Sequence, residues 1–348
     1  MTTRTAPLLA FVPAAIATSW IALFAAAPGA GASFAGARSE ARRPVHTYSI
    51  VARDPVTGQL GVAVQSHWFS VGSIVTWAES GVGAVATQSF VEPSYGPKGL
   101  ALMREGRSAP EALTALLAQD PHPEVRQVAM IDADGRVQAH TGSKCIPAAG
   151  HKTGADYSVQ ANLMTDASVW PAMASAFESA KGDLAERLLA ALEAAQRQGG
   201  DIRGRQSAAI LVVSGKPTGQ IWKDRLIDLR VEDHTDPVVE LRRLVSLWRA
   251  YQLMNSGDDA VTENRPEDAL KFYSEAEKLA PHMDEFVFWH AVSLVSLQRV
   301  EESLPVFARA FRMNPSWLLL AGRLPAAGLL PADPALIDRI RAVGPKER

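Results

Sequence analysis

Apolar and polar positions change period along this chain, and the changes divide it into elements. Residues 48 to 53 alternate, and beyond Asp54-Pro55 and Thr57-Gly58 the run Gly61, Val62, Ala63, Val64 is apolar and β-branched. Alternation buries one face of a strand, and proline, aspartate and glycine supply a turn, so this pattern predicts two paired strands. Further strands are expected at 74 to 78 and 82 to 88. The period then becomes helical, with Leu100, Leu102 and Met103 followed by Leu113, Leu116 and Leu117. Ser108 is the expected N-cap of the second helix, with Pro110 in its first turn and Glu111 at N3. Residues 125 to 131 and 136 to 140 flank Asp132-Ala133-Asp134-Gly135, a hairpin signal. Residues 157 to 163 read as a strand, and 167 to 179 and 184 to 197 as alanine-rich helices, the second stopped by Gly199-Gly200. Strand character returns at 208 to 213 and 226 to 231. Strands, then helices, then strands suit an α+β chain with two packed sheets and helices outside them.

From about residue 237 the pattern is helical throughout, opening with a helix over 238 to 254, and a repeat runs through it. Ala269, Tyr273, Ala276 and Pro281 recur 34 residues later as Ser303, Phe307, Ala310 and Pro315, and Gly257 and Ala291 share the spacing. Small, aromatic, small and proline at that period resemble the tetratricopeptide repeat, in which small residues let paired helices approach and proline ends the second. About two units are visible, fewer than the three an independent solenoid needs, so the repeats must lean on the preceding residues. The region is either a groove for a peptide or partner protein or a structural helical appendage.

The first residues follow different rules. Arg4 precedes an apolar, alanine-rich span over 8 to 27, and Ala30-Gly31-Ala32 offers a small-x-small cleavage site. A signal peptide over 1–32 and a flexible linker over 33–45 are therefore expected, with the folded domains at 46–233 and 237–348 and the protein periplasmic or secreted. A retained membrane anchor is the alternative, disfavoured by Pro7, Pro13 and Pro28.

Charge and cysteine content narrow the classes. A chain of 348 residues with a formal charge of -2 and 47% hydrophobic residues has no basic excess for nucleic acid. Cys145 is the only cysteine, so no internal disulfide forms. A buried apolar thiol is the plain reading, with His151 keeping a nucleophilic one open. The eight histidines show no ligand spacing, and phosphate-loop, dinucleotide-loop and zinc-helix motifs are missing, so neither metal nor cofactor is expected. The G-x-S-x-G elbow of serine hydrolases is missing too. A homo-oligomer is expected, through sheet edges or the helical tail.

One residue offers chemistry that needs no histidine. Thr47 heads the first strand, and a cut before it would free an α-amine, of reference pKa about 7.7–8.0, to act as base for its own hydroxyl. Ser49 would share its face and is the fallback nucleophile. Hairpin geometry returns Gln65, Ser66 and His67 beside Thr47, although Gln65 and Ser66 cannot both point inward.

The hairpin, together with GVGAVATQS from 81, YGPKGLALMREG from 95, YSVQANLM from 157 and GGDIRGRQSAAILVV from 199, resembles the domain-of-unknown-function family 1028. The resemblance covers roughly residues 46 to 232. That family is grouped with the N-terminal-nucleophile (Ntn) hydrolases, which implies a four-layer αββα sandwich and an amidohydrolase with an N-terminal Thr nucleophile. Thr47 would be nucleophile and base, Asn162 an oxyanion donor and Ser66 a supporting hydroxyl. At 161 the family's usual glycine is replaced by Ala161. The loop carrying Asp201, Arg203, Arg205 and Gln206 would bind substrate, although an internal ion-pair network or a solvated loop would use the same residues.

One obstacle follows. Signal cleavage near Ala32 leaves residues 33 to 46 ahead of Thr47, and an acylated amine is no base. Cytoplasmic relatives beginning M-T-[FY]-S-I lose only methionine. This chain requires a second cut at His46-Thr47, autocatalytic or made by a trimming protease that reaches the charged segment 38 to 44. The expected function is thus an exported Ntn-type hydrolase of an amide or peptide-like bond, or else a non-catalytic envelope binding or scaffold protein on the same fold.

Overall fold

The structure, a computed structural model, describes Val45 and residues 47 to 345. The expected signal peptide, the linker apart from Val45, and His46 lie outside the described residues.

Among the described residues ten strands form two antiparallel sheets. β1 (Thr47–Arg53), β2 (Leu60–Ser66), β7 (Gly150–Gly154), β8 (Tyr157–Ala161), β9 (Ser207–Val213) and β10 (Arg225–Val231) make one, in the order β10-β9-β2-β1-β8-β7. β3 (Thr76–Glu79), β4 (Gly83–Ser89), β5 (Arg126–Asp132) and β6 (Val137–Thr141) make the other in sequence order. β1 lies in the middle of the larger sheet, paired Thr47 to Ser66 on one side and Tyr48 to Ala161 on the other.

The period-two pattern assigns the faces. Val51, Val62, Val64, Ala84, Ala86, Ala129, Ile131 and Leu211 fill the space between the sheets. Tyr48, Ile50, Ala63, Val159 and Ile210 face away, against α4 (Val169–Ser179) and α5 (Leu184–Arg197). On the outer face of the smaller sheet, α2 (Tyr95–Arg104) and α3 (Ala109–Leu117) bury Tyr95, Leu100, Met103 and Leu113 against Val85, Val128 and Met130. Helix entry is secured locally. Ser108 and Glu111 close a full capping box at α3, and Asp183 accepts from the Glu186 amide at α5.

Two expectations differ from the structure. The strand expected at 74 to 78 begins as a helical turn, α1 (Gly72–Val75), and turns extended only at β3. Thr76 Oγ1 donates to the Gly72 carbonyl at 2.7 Å, closing that turn, and Gly72 packs so tightly that an added Cβ would lie 2.5 Å from Ala209 Cβ. β7 escaped notice because it is an exposed edge strand, with His151, Lys152 and Thr153 in solvent, so no core imprinted an alternating pattern on it.

After a single turn, α6 (Ile221–Asp224), and β10, the chain enters α7 (Pro237–Thr262), which runs past the expected end at 254. α7 serves two cores. Its Val238, Leu241 and Val245 join the core outside the larger sheet, and its Ala250, Met254 and Ala260 join Ala269, Tyr273, Ala276 and Phe286. α8 (Pro266–Leu279) packs on α7, and α9 (Asp284–Ser296) on α10 (Val300–Met313), each pair joined by a three-residue connection. α11 (Ser316–Ala321) and α12 (Pro334–Ala342) close the end. The repeated positions Ala269, Tyr273, Ala276 and Ser303, Phe307, Ala310 are all fully buried on α8 and α10, and Pro281 and Pro315 follow those helices.

Gly257 lies where α7 meets Tyr273 of α8. A Cβ there would stand 2.3 Å from Tyr273 Cε1, so the ring occupies the space that a side chain would need, and Tyr273 donates to Asp258 at 2.8 Å. Replacement of Gly257 by leucine is therefore expected to destabilise the helical region by about 1–3 kcal/mol or more. An unchanged urea midpoint would refute this packing.

Candidate active site

A polar layer is sealed between the two sheets at the end where β1 begins. Thr47 and Ser49 lie on the inter-sheet face of β1, and Ser66, Ser158, Gln160, Asn162, Gln88 and Gln127 surround them from β2, β8, β4 and β5. All eight are fully buried.

The geometry is a closed network. The Thr47 carbonyl accepts from the Asn162 amide at 3.1 Å and from Gln88 Nε2 at 3.2 Å. Gln88 Oε1 accepts from Ser49 Oγ at 2.6 Å, and Ser49 Oγ accepts in turn from Gln160 Nε2 at 2.6 Å. Ser158 donates to Gln160 Oε1 at 3.0 Å. Gln127 Oε1 receives both Gln88 Nε2 at 2.7 Å and Asn162 Nδ2 at 2.8 Å, and Gln127 Nε2 donates to Ala161 O and Thr141 Oγ1 at 2.9 Å. Every side chain here is neutral. Hydroxyls and amides replace the water they lost with one another, which removes the penalty of burying them.

Among the expected site residues, Thr47, Ser66 and Asn162 come together. Ser66 stands directly opposite Thr47 and shares its face, whereas Gln65 pairs with Tyr48 and faces the helices, where both amide atoms are buried without a partner. Thr47 Oγ1 donates to the Val45 carbonyl at 2.8 Å. Gln88, Gln127 and Gln160 were missed as site residues. Their signal was present: each is a long amide at a position where its strand alternation calls for an apolar side chain.

The loop over 201 to 206 sits against the end of β2, with the Gln206 amide donating to Ser66 O at 3.2 Å and the His67 amide to Asp201 Oδ2 at 3.1 Å. Arg203 turns its Nε and Nη2 onto Asp201, at 3.0 and 2.7 Å, and Arg205 pairs with Asp236. The Asp201 side chain has no exposure, so this pairing is what permits its charge. Phe69 and Ile202 on these loops are about two-thirds exposed, at 64% and 60%.

Cys145 and His151 have separate partners. The thiol donates to Arg126 O at 3.3 Å, and burial pushes its pKa up, against thiolate chemistry. His151 Nδ1 meets Thr141 Oγ1 at 2.8 Å, and partial desolvation of a ring whose residue is otherwise exposed, with His140 nearby, lowers its pKa. Among the described residues no three His, Cys, Asp or Glu side chains converge as a metal site, and no helix is long and apolar enough to cross a membrane.

Beside the layer, Arg126 ties β5 to the end of β4. It donates to the Phe90 carbonyl and, through Nε at 2.7 Å, to Asp120, which also accepts from Tyr95 at 3.0 Å. Burial acts to raise the Asp120 carboxyl, but these donors outweigh it and hold its pKa below the ordinary value.

Two sheets joined by a buried polar layer headed by Thr47 define the class of domain, and comparison of the sequence places it. The model of the Family of unknown function (DUF1028) matches residues 47–241, and the chain belongs to that family. It is similar to the crystal structure of protein SPO2555 from Silicibacter pomeroyi, which carries the same family assignment. That likeness has 31% identity and a TM-score of 0.51, covering 57% of this chain and 88% of that one. No curated protein matches the chain.

Two outcomes test the site. Gln127→Leu removes the acceptor shared by Gln88 Nε2 and Asn162 Nδ2 and the side-chain donor to the Ala161 carbonyl, so stability in equilibrium denaturation is expected to fall by about 2 kcal/mol or more; a neutral result would count against the network. Asp120 has a depressed folded-state pKa, so its contribution is present above its unfolded value and is lost as pH falls through the folded one. Asp120→Asn should thus flatten the acid limb of stability against pH, and an unaltered limb would count against the Arg126 tie.

Proposed function

We propose that the domain headed by Thr47 is an exported Ntn-type hydrolase acting on an amide or peptide-like bond, and that its layering is the αββα sandwich of that class. The observation that carries the reading is Thr47 itself: a hydroxyl at the head of a central strand, ringed by neutral donors.

After a cut before Thr47, its α-amine would emerge into buried surroundings whose side chains are hydroxyls and amides. Burial disfavours the ammonium form, and no carboxylate of the inter-sheet layer opposes that effect, so the amine is held as the free base. It takes the proton from Oγ1 as Oγ1 bonds to the substrate carbonyl carbon. Asn162, whose backbone amide already bonds the Thr47 carbonyl, would supply the oxyanion donor, and Ser66, opposite Thr47 on β2, would border the amine. Collapse breaks the carbon–nitrogen bond, the amine returns its proton to the leaving nitrogen, and water, deprotonated by the same amine, hydrolyses the resulting ester. With the Nε–Nη2 edge of Arg203 turned onto Asp201 and Arg205 paired with Asp236, substrate contact falls chiefly to Gln206 and to the exposed Phe69 and Ile202.

A second reading is favoured by a specific contact. Thr47 Oγ1 is engaged by the Val45 carbonyl, the state of an uncut binding or scaffold protein. The helical region serves either reading. We take α7 to α10 as two tetratricopeptide-like units, with a cleft of about 480 Å³ lined by Tyr251, Asp258, Glu285, Phe286 and Trp289 as the seat of a protein partner.

Intact-mass measurement of protein exported by its own host separates the readings: a first residue at Thr47 supports the hydrolase, and one at 33 to 38 the binder. With peptidyl anilides as probes, Thr47→Ala is expected to keep the fold and lose turnover by at least about a thousandfold. Turnover by protein still extended ahead of Thr47 would overturn the mechanism.

A further inference from the structure

The residue two before Thr47 occupies a built position. Val45 pairs antiparallel with Ser89 at the end of β4, its amide donating to Ser89 O at 2.6 Å and its carbonyl accepting from the Ser89 amide at 3.0 Å. Its side chain has no exposure and lies in the inter-sheet cluster with Val51, Val64 and Val91. Ser89 adopts φ 69°, the left-handed region that serine rarely enters. A strained residue is retained where the surroundings impose it, often at a ligand clamp. The chain thus pairs with the smaller sheet at Val45 and with the larger one from Thr47.

We infer that the Ser89 end of β4 is the subsite for the acyl half of the substrate. It takes an extended peptide or peptide-like chain as an added strand, with a small branched apolar side chain between the sheets two residues before the bond to be cut. Val45 of the chain itself is its resident occupant. This rests on the hydrolase reading for the word substrate, but the seat itself is a binding property. Main-chain pairing to Ser89 supplies affinity without side-chain identity, and the inter-sheet pocket supplies selectivity, as in strand addition generally. A charge at the Val45 position would be buried without a partner, so acidic or basic residues are excluded there.

The probe is a fluorescent peptide with the sequence of residues 38 to 46, RSEARRPVH, added to the full chain. Unaltered protein retaining its upstream residues should not bind it, because the seat is filled. Val45→Asp should free the seat: amide exchange at Ser89 rises while the β1–β2 ladder stays protected, and the peptide binds. The same peptide with aspartate in place of its valine should bind at least about tenfold more weakly. If Val45→Asp does not fold, Val45→Gly removes the apolar anchor without a charge and should give the same exchange change and peptide binding. Equal binding by unaltered protein and variant, no binding by a folded variant, equal binding of the two peptides, or unchanged Ser89 exchange would each overturn the assignment. None of these readouts needs turnover, so failure of the hydrolase reading, seen in the Thr47→Ala assay, remains separate.

Discussion

Burial of backbone and amide groups between two sheets is the constraint on which the rest of this structure depends. The space between β1, β2, β8, β4 and β5 is apolar over most of its length but polar at one end, and with Val45 in place the side chains at that end have no exposure. Each donor there must meet an acceptor from the protein. A side chain left unpaired costs about 1–3 kcal/mol, so the network holds together as a unit. Gln88 and Gln127 are the crossing points: they reach from the smaller sheet to the Thr47 carbonyl, to Asn162 and to Ala161 O on the larger one. Shear of one sheet on the other would break several of these bonds together, which fixes Thr47 relative to Asn162 and Ser66.

The same constraint explains the neutrality of the layer. Carboxylates and guanidinium groups nearby are paired off in separate places, Asp201 with Arg203 and Asp120 with Arg126, each with further donors on the carboxylate. A lone charge among the amides would carry the full desolvation cost. What remains is a set of fixed dipoles around a hydroxyl, the environment that suits a reaction using an uncharged amine as base. The helical region is joined to this body by α7, whose two ends lie in different cores. Because one continuous helix enters both, packing in the repeats and packing on the larger sheet constrain one another.

Much of this was legible in the residues. Alternation in 48 to 53 and the β-branched run at 61 to 64 located β1 and β2, Ser108 and Glu111 marked the start of α3, and the 34-residue spacing of Tyr273 and Phe307 marked the paired helices, because each of these signals is carried by the residues of the elements themselves. That Thr47 and Ser49 share a face followed from parity alone. The length of the hairpin brought Gln65, Ser66 and His67 back beside Thr47, and the register of the sheet selected Ser66.

Tertiary structure alone decided the partners. No local pattern says that Gln88 and Gln127 meet Asn162, since these residues are 35 to 74 positions apart and are joined only when two sheets stack. Nor could it show that Gln65 turns toward the helices, that Arg203 closes on Asp201, or that Val45 pairs with Ser89 across the sheets. Periodicity records which face of an element is buried, because burial selects side chains one element at a time. Which buried face lies against which is settled by packing between elements, and that packing turned scattered amides into one site.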